Sequence, residues 1–171
     1  DTAILHPAVR SPSATIRRAA VLAMGQVKAT ASAPLLRTLL FDADSSVAAR
    51  AAFSLALLRD TAAVGALDSA LAGPWPVAVQ AAFALGEIGA PARAAILAAV
   101  PVAADGRVRS ELLLAAAKLR PIPAQEIAAQ LTSDDPCVRW AAAYPLSRNR
   151  VPGGVRPLVA MSSDPRVAAA D

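Results

Sequence analysis

An all-α, right-handed solenoid of about five two-helix repeats is predicted for this 171-residue chain by three observations. A hydrophobic anchor returns at a nearly constant interval, small and large residues keep fixed places behind it, and a helix-start signal stands three residues ahead. The anchors are Ile16, Val47, Val77, Val108, Val138 and Val167, separated by 31, 30, 31, 30 and 29 residues. A period in this range marks a stack of helical pairs, each of which would leave its apolar face wet if it stood alone.

The first helix of each unit follows its anchor. Four residues on stand Ala20, Ala51, Ala81, Leu112 and Ala142, and eight on stand Met24, Leu55, Leu85, Ala116 and Leu146, all on one helical face. Six on come Leu22, Phe53, Phe83, Leu114 and Tyr144, expected as a large apolar core column, and nine on come Gly25, Ala56, Gly86, Ala117 and Ser147. The small column lets neighbouring helices approach, while the large one fills space between units. Three residues before the anchors are Ser13, Asp44, Asp105, Asp135 and Asp164, short polar side chains suited to accept from free N–H groups, with Pro74 out of line. Pro136 and Pro165 then take the first helical position, where a missing N–H costs nothing. Pro145 inside the fifth first-helix predicts a kink or a shortened helix.

Second helices are expected over 34–40, 64–71, 93–100, 123–131 and 156–161. The segment from Thr2 to Val9 matches the one around Pro34 at an offset of 31, so the chain is expected to begin inside a repeat. It is expected to stop inside one as well, since Val167 to Asp171 is a first helix barely started. Residues 1–171 are therefore read as a single repeat domain belonging to a longer protein.

The fullest units, Ile16-Arg17-Arg18-Ala19-Ala20 running to Met24-Gly25-Gln26-Val27, and Val77 running through Ala81-Ala82 to Leu85-Gly86-Glu87-Ile88-Gly89, carry a hydrophobic-Arg-x-x-Ala-Ala-x-x-Leu-Gly-x-hydrophobic pattern. This resembles the HEAT-like repeats of the short type named after the phycobilisome lyases. The resemblance implies a HEAT-like solenoid used as an interaction surface, and it is specific for fold rather than for function. It also implies that Arg17, Arg109 and Arg139, directly after their anchors, pair with an aspartate of the neighbouring turn. First helices would form the convex side and second helices the concave one.

Composition narrows the function further. Alanine supplies 45 of the 171 residues, which favours helix without bulk. Hydrophobic residues make up 56%, yet the longest uncharged run, Ser69 to Gly86, is interrupted by Gly73-Pro74-Trp75-Pro76. No stretch reaches the ~20 apolar residues of a spanning helix, so membrane insertion is not expected. No leader pattern is present, and a cytoplasmic compartment is favoured. Cys137 is the only cysteine, which forbids an internal disulfide; its place beside a helix start suggests packing rather than reaction.

Seventeen Lys and Arg against 13 Asp and Glu give a net charge of +4. The column expected to line the concave side runs His6, Arg37, Asp68, Ala98 and Ala129, which is not the basic stripe a phosphate backbone requires. Nucleic acid is therefore disfavoured as a partner, although HEAT-like DNA glycosylases show that the architecture can bind it.

Catalysis has no constellation. His6 is the only histidine, so no multi-histidine metal site exists, and the His-Glu pairs of di-iron hydroxylases built on such repeats are absent. Gly153-Gly154 lacks the Lys-Ser/Thr of a phosphate loop. Glu87, Glu111, Glu126, Asp134 and Asp135 are not paired by spacing. No catalytic residue, cofactor or metal is assigned.

The reading is a non-enzymatic interaction or scaffold module that holds a protein partner on the concave face. Candidate contacts are Arg37, Thr38, Asp68, Ser69, Glu126, Gln130 and Arg156. Trp140, two residues past its anchor in a mixed column, is added as a partly exposed aromatic. Phe53, Phe83 and Tyr144 are assigned to the core, and Trp75 to plugging an inter-helix turn. The alternative is an accessory segment of an enzyme, including the bilin-lyase type, with the chemistry elsewhere.

Overall fold

A computed structural model describes residues 5–151 and 155–163. Long and short helices alternate through them. The long helices are α2 (Ala14–Gln26), α4 (Ser45–Leu58), α6 (Trp75–Ile88), α8 (Gly106–Ala116) and α10 (Pro136–Arg148). Between and around them lie α1 (Leu5–Ala8), α3 (Ala33–Leu39), α5 (Val64–Ala70), α7 (Arg93–Ala99), α9 (Ala124–Ala128) and α11 (Val155–Ser162). A 3₁₀ turn leads into α3, α5 and α7, and another extends α9 over Ala129–Thr132. The helices form an α-solenoid, and the described residues contain no strand.

The long helices stack in chain order, α2 on α4, α4 on α6, α6 on α8 and α8 on α10. The short helices form a second layer, in which α3 packs on α4, α5 on α6, α7 on α8 and α9 on α10. Each short helix thus seats on the long helix of the following unit. One continuous core runs through the stack, from Val21 and Met24 through Leu55, Leu85 and Leu112 to Leu146.

Small residues set the spacing. A Cβ built on Gly25 would lie 2.7 Å from the Cβ of Ser54, and one on Gly86 would lie 2.8 Å from the Cβ of Ala115. At the first of these approaches the buried Ser54 hydroxyl donates to the Val21 carbonyl at 2.8 Å, so the polar atom admitted to the contact is satisfied.

Helix starts follow the aspartates. The Asp44 carboxylate accepts from the backbone N–H groups of Ser46 and Val47, Asp105 from Arg107, and Asp135 from Cys137 and Val138. Ser13 makes no such bond, and α6 begins after Pro74 without a side-chain cap. Asp164, Pro165, Val167 and Gly153-Gly154 lie outside the described residues. Helix ends share a device that spacing alone did not reveal. Twelve residues past the anchors, Lys28, Arg59, Gly89 and Arg150 take positive φ of 52°, 50°, 78° and 49°, left-handed at Arg59 and, at Gly89, paired with a ψ of −129°.

Several expectations need correction. The six-on column is not core: Leu22, Phe53, Phe83 and Leu114 are half-buried and Tyr144 is exposed. At 100° per residue, six steps bring a side chain to about 240° from the anchor, opposite the inward arc. Ile16, unlike the next four anchors, is exposed, because in the described structure no long helix precedes α2 to cover it. Helix α10 runs through Pro145 to Arg148, so the expected shortening does not occur; Pro145 is buried within the stack. Cys137 is exposed rather than packed, since its position faces out one residue before the buried Val138.

Candidate functional site

The arginines after the anchors share one geometry. Arg17 donates to the carbonyls of Ser11 and Pro12 at 3.0 and 3.2 Å, Arg109 to that of Ala103 at 2.9 Å, and Arg139 to those of Ser133 and Asp134 at 2.8 and 3.0 Å. Each guanidinium thereby ties down the turn that leads into its own helix. Arg17 also reaches forward to Asp42 in the next turn, with bonds of 2.9 and 2.7 Å. That hydrogen-bonded partner holds the Asp42 carboxyl below the usual carboxylate range. The aspartate pairing implied by the resemblance is therefore seen at Arg17. At the position equivalent to Asp42 in the turn beyond Arg109 stands Ser133, which has no charge to offer.

The candidate contacts on the short-helix side lie on separate units. On α3, Arg37 is half-buried with its Nε 3.2 Å from an Asp60 oxygen, and the exposed Thr38 hydroxyl donates to the Leu35 carbonyl at 2.7 Å. On α5, Ser69 donates to the Gly65 carbonyl at 3.0 Å, while Asp68 points to solvent. Glu126 is exposed on α9, Gln130 is half-buried in the turn after it, and Arg156 is exposed on α11. They do not converge on one point.

One of them borders a groove. Asp68 stands at the mouth of a cavity of about 540 Å³ between the α5–α6 and α7–α8 connections, floored by Ala78, Ala99 and Leu112, with the exposed Ala98 on its wall. Alanine makes this floor shallow and apolar. Val102, 76% exposed, and Trp75, 50% exposed, form its rim. Trp75 is therefore an edge rather than a plug, because Pro74 and Pro76 hold it at the first residue of α6 with its ring outward. Across the groove, Asp105 grips Arg107 through bonds of 3.0 and 2.6 Å, and the Arg107 guanidinium lies 4.2 Å from the centre of the Trp75 ring. The same bonds bring the Asp105 carboxyl down to about 2, so this rim stays charged through the physiological range. Asp68 is left as the carboxylate of the groove not engaged in an ion pair.

The long-helix side carries an aromatic belt, of which Phe53, Phe83 and Tyr144 are expected from the sequence in the core and Trp140 partly exposed. Phe53 and Phe83 stack with centroids 6.1 Å apart, and Trp140, 59% exposed, stacks on Tyr144 at 5.2 Å. Arg50, Lys118 and Arg148 lie over Phe53, Phe83 and Tyr144 at 5.6, 4.8 and 5.8 Å. Trp140 therefore belongs to this side and not with the second-helix candidates. The 240° phase of the six-on column was the signal that could have placed these rings outside.

Residues 2–76 match the family model described as HEAT repeats. Over that stretch the chain is similar to HEAT repeats. That description names a repeat commonly used to join proteins, and no curated protein matches the chain. In this HEAT-like chain the two-helix unit continues past the matched segment, through α6 to α11. No helix among the described residues is long and apolar enough to cross a membrane. Those residues also include no group of three or more His, Cys, Asp or Glu side chains placed to share a metal ion.

Proposed function

We propose that this HEAT-like stack is a non-catalytic interaction module that holds a protein partner on the side of its short helices, centred on the groove beside Asp68. The groove carries the reading: an apolar, alanine-floored channel open at one edge, with an uncommitted carboxylate at its mouth and a fixed Asp105–Arg107–Trp75 rim. Such a channel accepts aliphatic side chains and offers Asp68 to a lysine or arginine beside them. Arg37 and its neighbour Asp60 extend the polar margin along the same side. Alternation of charge there favours a protein over a phosphate backbone, which needs cations in series.

The test compares affinity captures by the chain, by Asp68→Lys with Arg37→Glu, and by Ala98→Trp, which fills the groove without changing charge. One stoichiometric partner captured by the unaltered chain, and lost with both kinds of variant, is the expected result. Retention of that partner by both would place the contact elsewhere. Capture of nucleic acid alone, or of a coloured cofactor, would replace this reading by nucleic-acid binding or by a bilin-lyase-like role.

A further inference from the structure

A second surface begins on the other flank of Trp75, where α2, α4 and α6 enclose a basin of about 390 Å³. Its walls are Arg18 from α2, Arg50 and Phe53 from α4, and Trp75, Val79 and Gln80 from α6. Neither Arg18 nor Arg50 forms an ion pair with a described carboxylate, and no acidic residue lines the basin. The nearest aspartate in sequence, Asp44, is spent on the start of α4, where it accepts from Ser46 and Val47. Further along the long helices, Glu87 receives Lys118 at 2.8 Å and Arg59 at 3.6 Å. Two uncompensated cations above an apolar floor thus occur together in this basin, and they call for carboxylates carried next to aliphatic side chains.

We propose that this basin docks an acidic peptide segment of a partner protein, with its carboxylates on Arg18 and Arg50 and its apolar side chains against Phe53, Trp75 and Val79. Charge complementarity selects the partner's sign. Its class follows from the rings. Arg50 lies over Phe53, Arg107 covers Trp75, and Phe53 is stacked on Phe83, so these aromatics are already engaged and offer poor platforms for nucleic-acid bases. Glu87 further along α6 and Glu111 on α8 interrupt any track for a phosphate backbone. This surface meets the groove beside Asp68 at Trp75 but shares none of its charged residues, so changes at Arg18 and Arg50 and a change at Asp68 tell the two proposals apart.

The experiment uses a panel of short fluorescent peptides alternating Glu or Asp with Leu or Phe, a Lys-containing counterpart of each, and a labelled oligothymidine. Anisotropy titrations compare the unaltered chain with Arg18→Glu/Arg50→Glu, Arg18→Gln/Arg50→Gln, Arg148→Glu and Asp68→Lys, all checked for folding by circular dichroism. Saturable binding of acidic peptides is expected, weakened roughly tenfold or more by the double reversal, less by the neutral pair, and little by Arg148→Glu or Asp68→Lys. The neutral pair keeps the test valid if the reversed variant fails to fold. Absence of saturable acidic-peptide binding, equal binding by the unaltered and both altered chains, or tighter binding of oligothymidine would each overturn the proposal.

Discussion

Arg59 closes α4 at φ 50° and ψ 43°, a conformation that costs an L side chain about 1–2 kcal/mol and costs glycine almost nothing. Its ion pair with Glu87 is 3.6 Å long and largely exposed, so little is lost with the side chain. Arg59→Gly is therefore expected to stabilise the fold by about 0.5–1 kcal/mol in urea unfolding. Gly89→Ala, at φ 78° and ψ −129°, is expected to destabilise it by about 1–3 kcal/mol. Glu111 presents a different strain. Burial raises its carboxyl above the ordinary value of 4.5, with Lys118 opposing, so its ionised form weighs against folding at neutral pH. Glu111→Gln should raise the thermal midpoint at pH 7, and the advantage should vanish as pH falls below 4.5 and the native glutamate is protonated in both states. Asp42 and Asp105 act in the opposite direction. Their lowered carboxyls stabilise the fold above about 4, and that stability is lost as pH falls through their lowered values, about 2 for Asp105. Melting curves between pH 7 and 2 check both signs.

At the scale of the helix, identical substitutions should have opposite effects according to what lies across the gap. Gly86→Ala brings a Cβ to 2.8 Å from the Ala115 Cβ and 2.9 Å from its Cα, which cannot rotate away, and should cost about 1–3 kcal/mol. Gly65→Ala in α5 meets nothing within 4 Å and should stabilise by about 0.5–1 kcal/mol. Chemical denaturation of the two single variants measures the contrast. The close approach at Gly25 and Gly86 was legible in the sequence, because a column of small residues at fixed phase has one simple packing meaning. Phe53, Phe83 and Tyr144 were misread, since size suggested core while their phase pointed outward. Trp75 was misread for a related reason: two flanking prolines fix a backbone but leave open which way the ring faces. The groove beside Asp68 was only partly legible. Asp68 and Ala98 were recognised as one column, but the rim built by Asp105, Arg107 and Trp75 depends on how two connections meet in space.

For the whole molecule, neighbours on both sides should decide where opening is slowest. Helices α4, α6 and α8 each have long helices against both flanks, and the seam between α4 and α6, which buries Val47, Ala51, Leu55, Val77, Ala81 and Leu85, is the most extensive. Native-state hydrogen exchange of the 171-residue chain is therefore expected to be slowest in α4 and α6 and fastest in α1 and α11. Uniform protection along the stack would show instead that the units open together. The seating of each short helix on the following long helix also decides what can be copied or removed as a piece. Such a cassette is a short helix with the long helix after it, bounded by the left-handed turns at Lys28 and Arg59. Splicing out residues 29–59 would join Lys28 to Asp60 as it is now joined to Ala29, shortening the array by one module while keeping every remaining seam in phase.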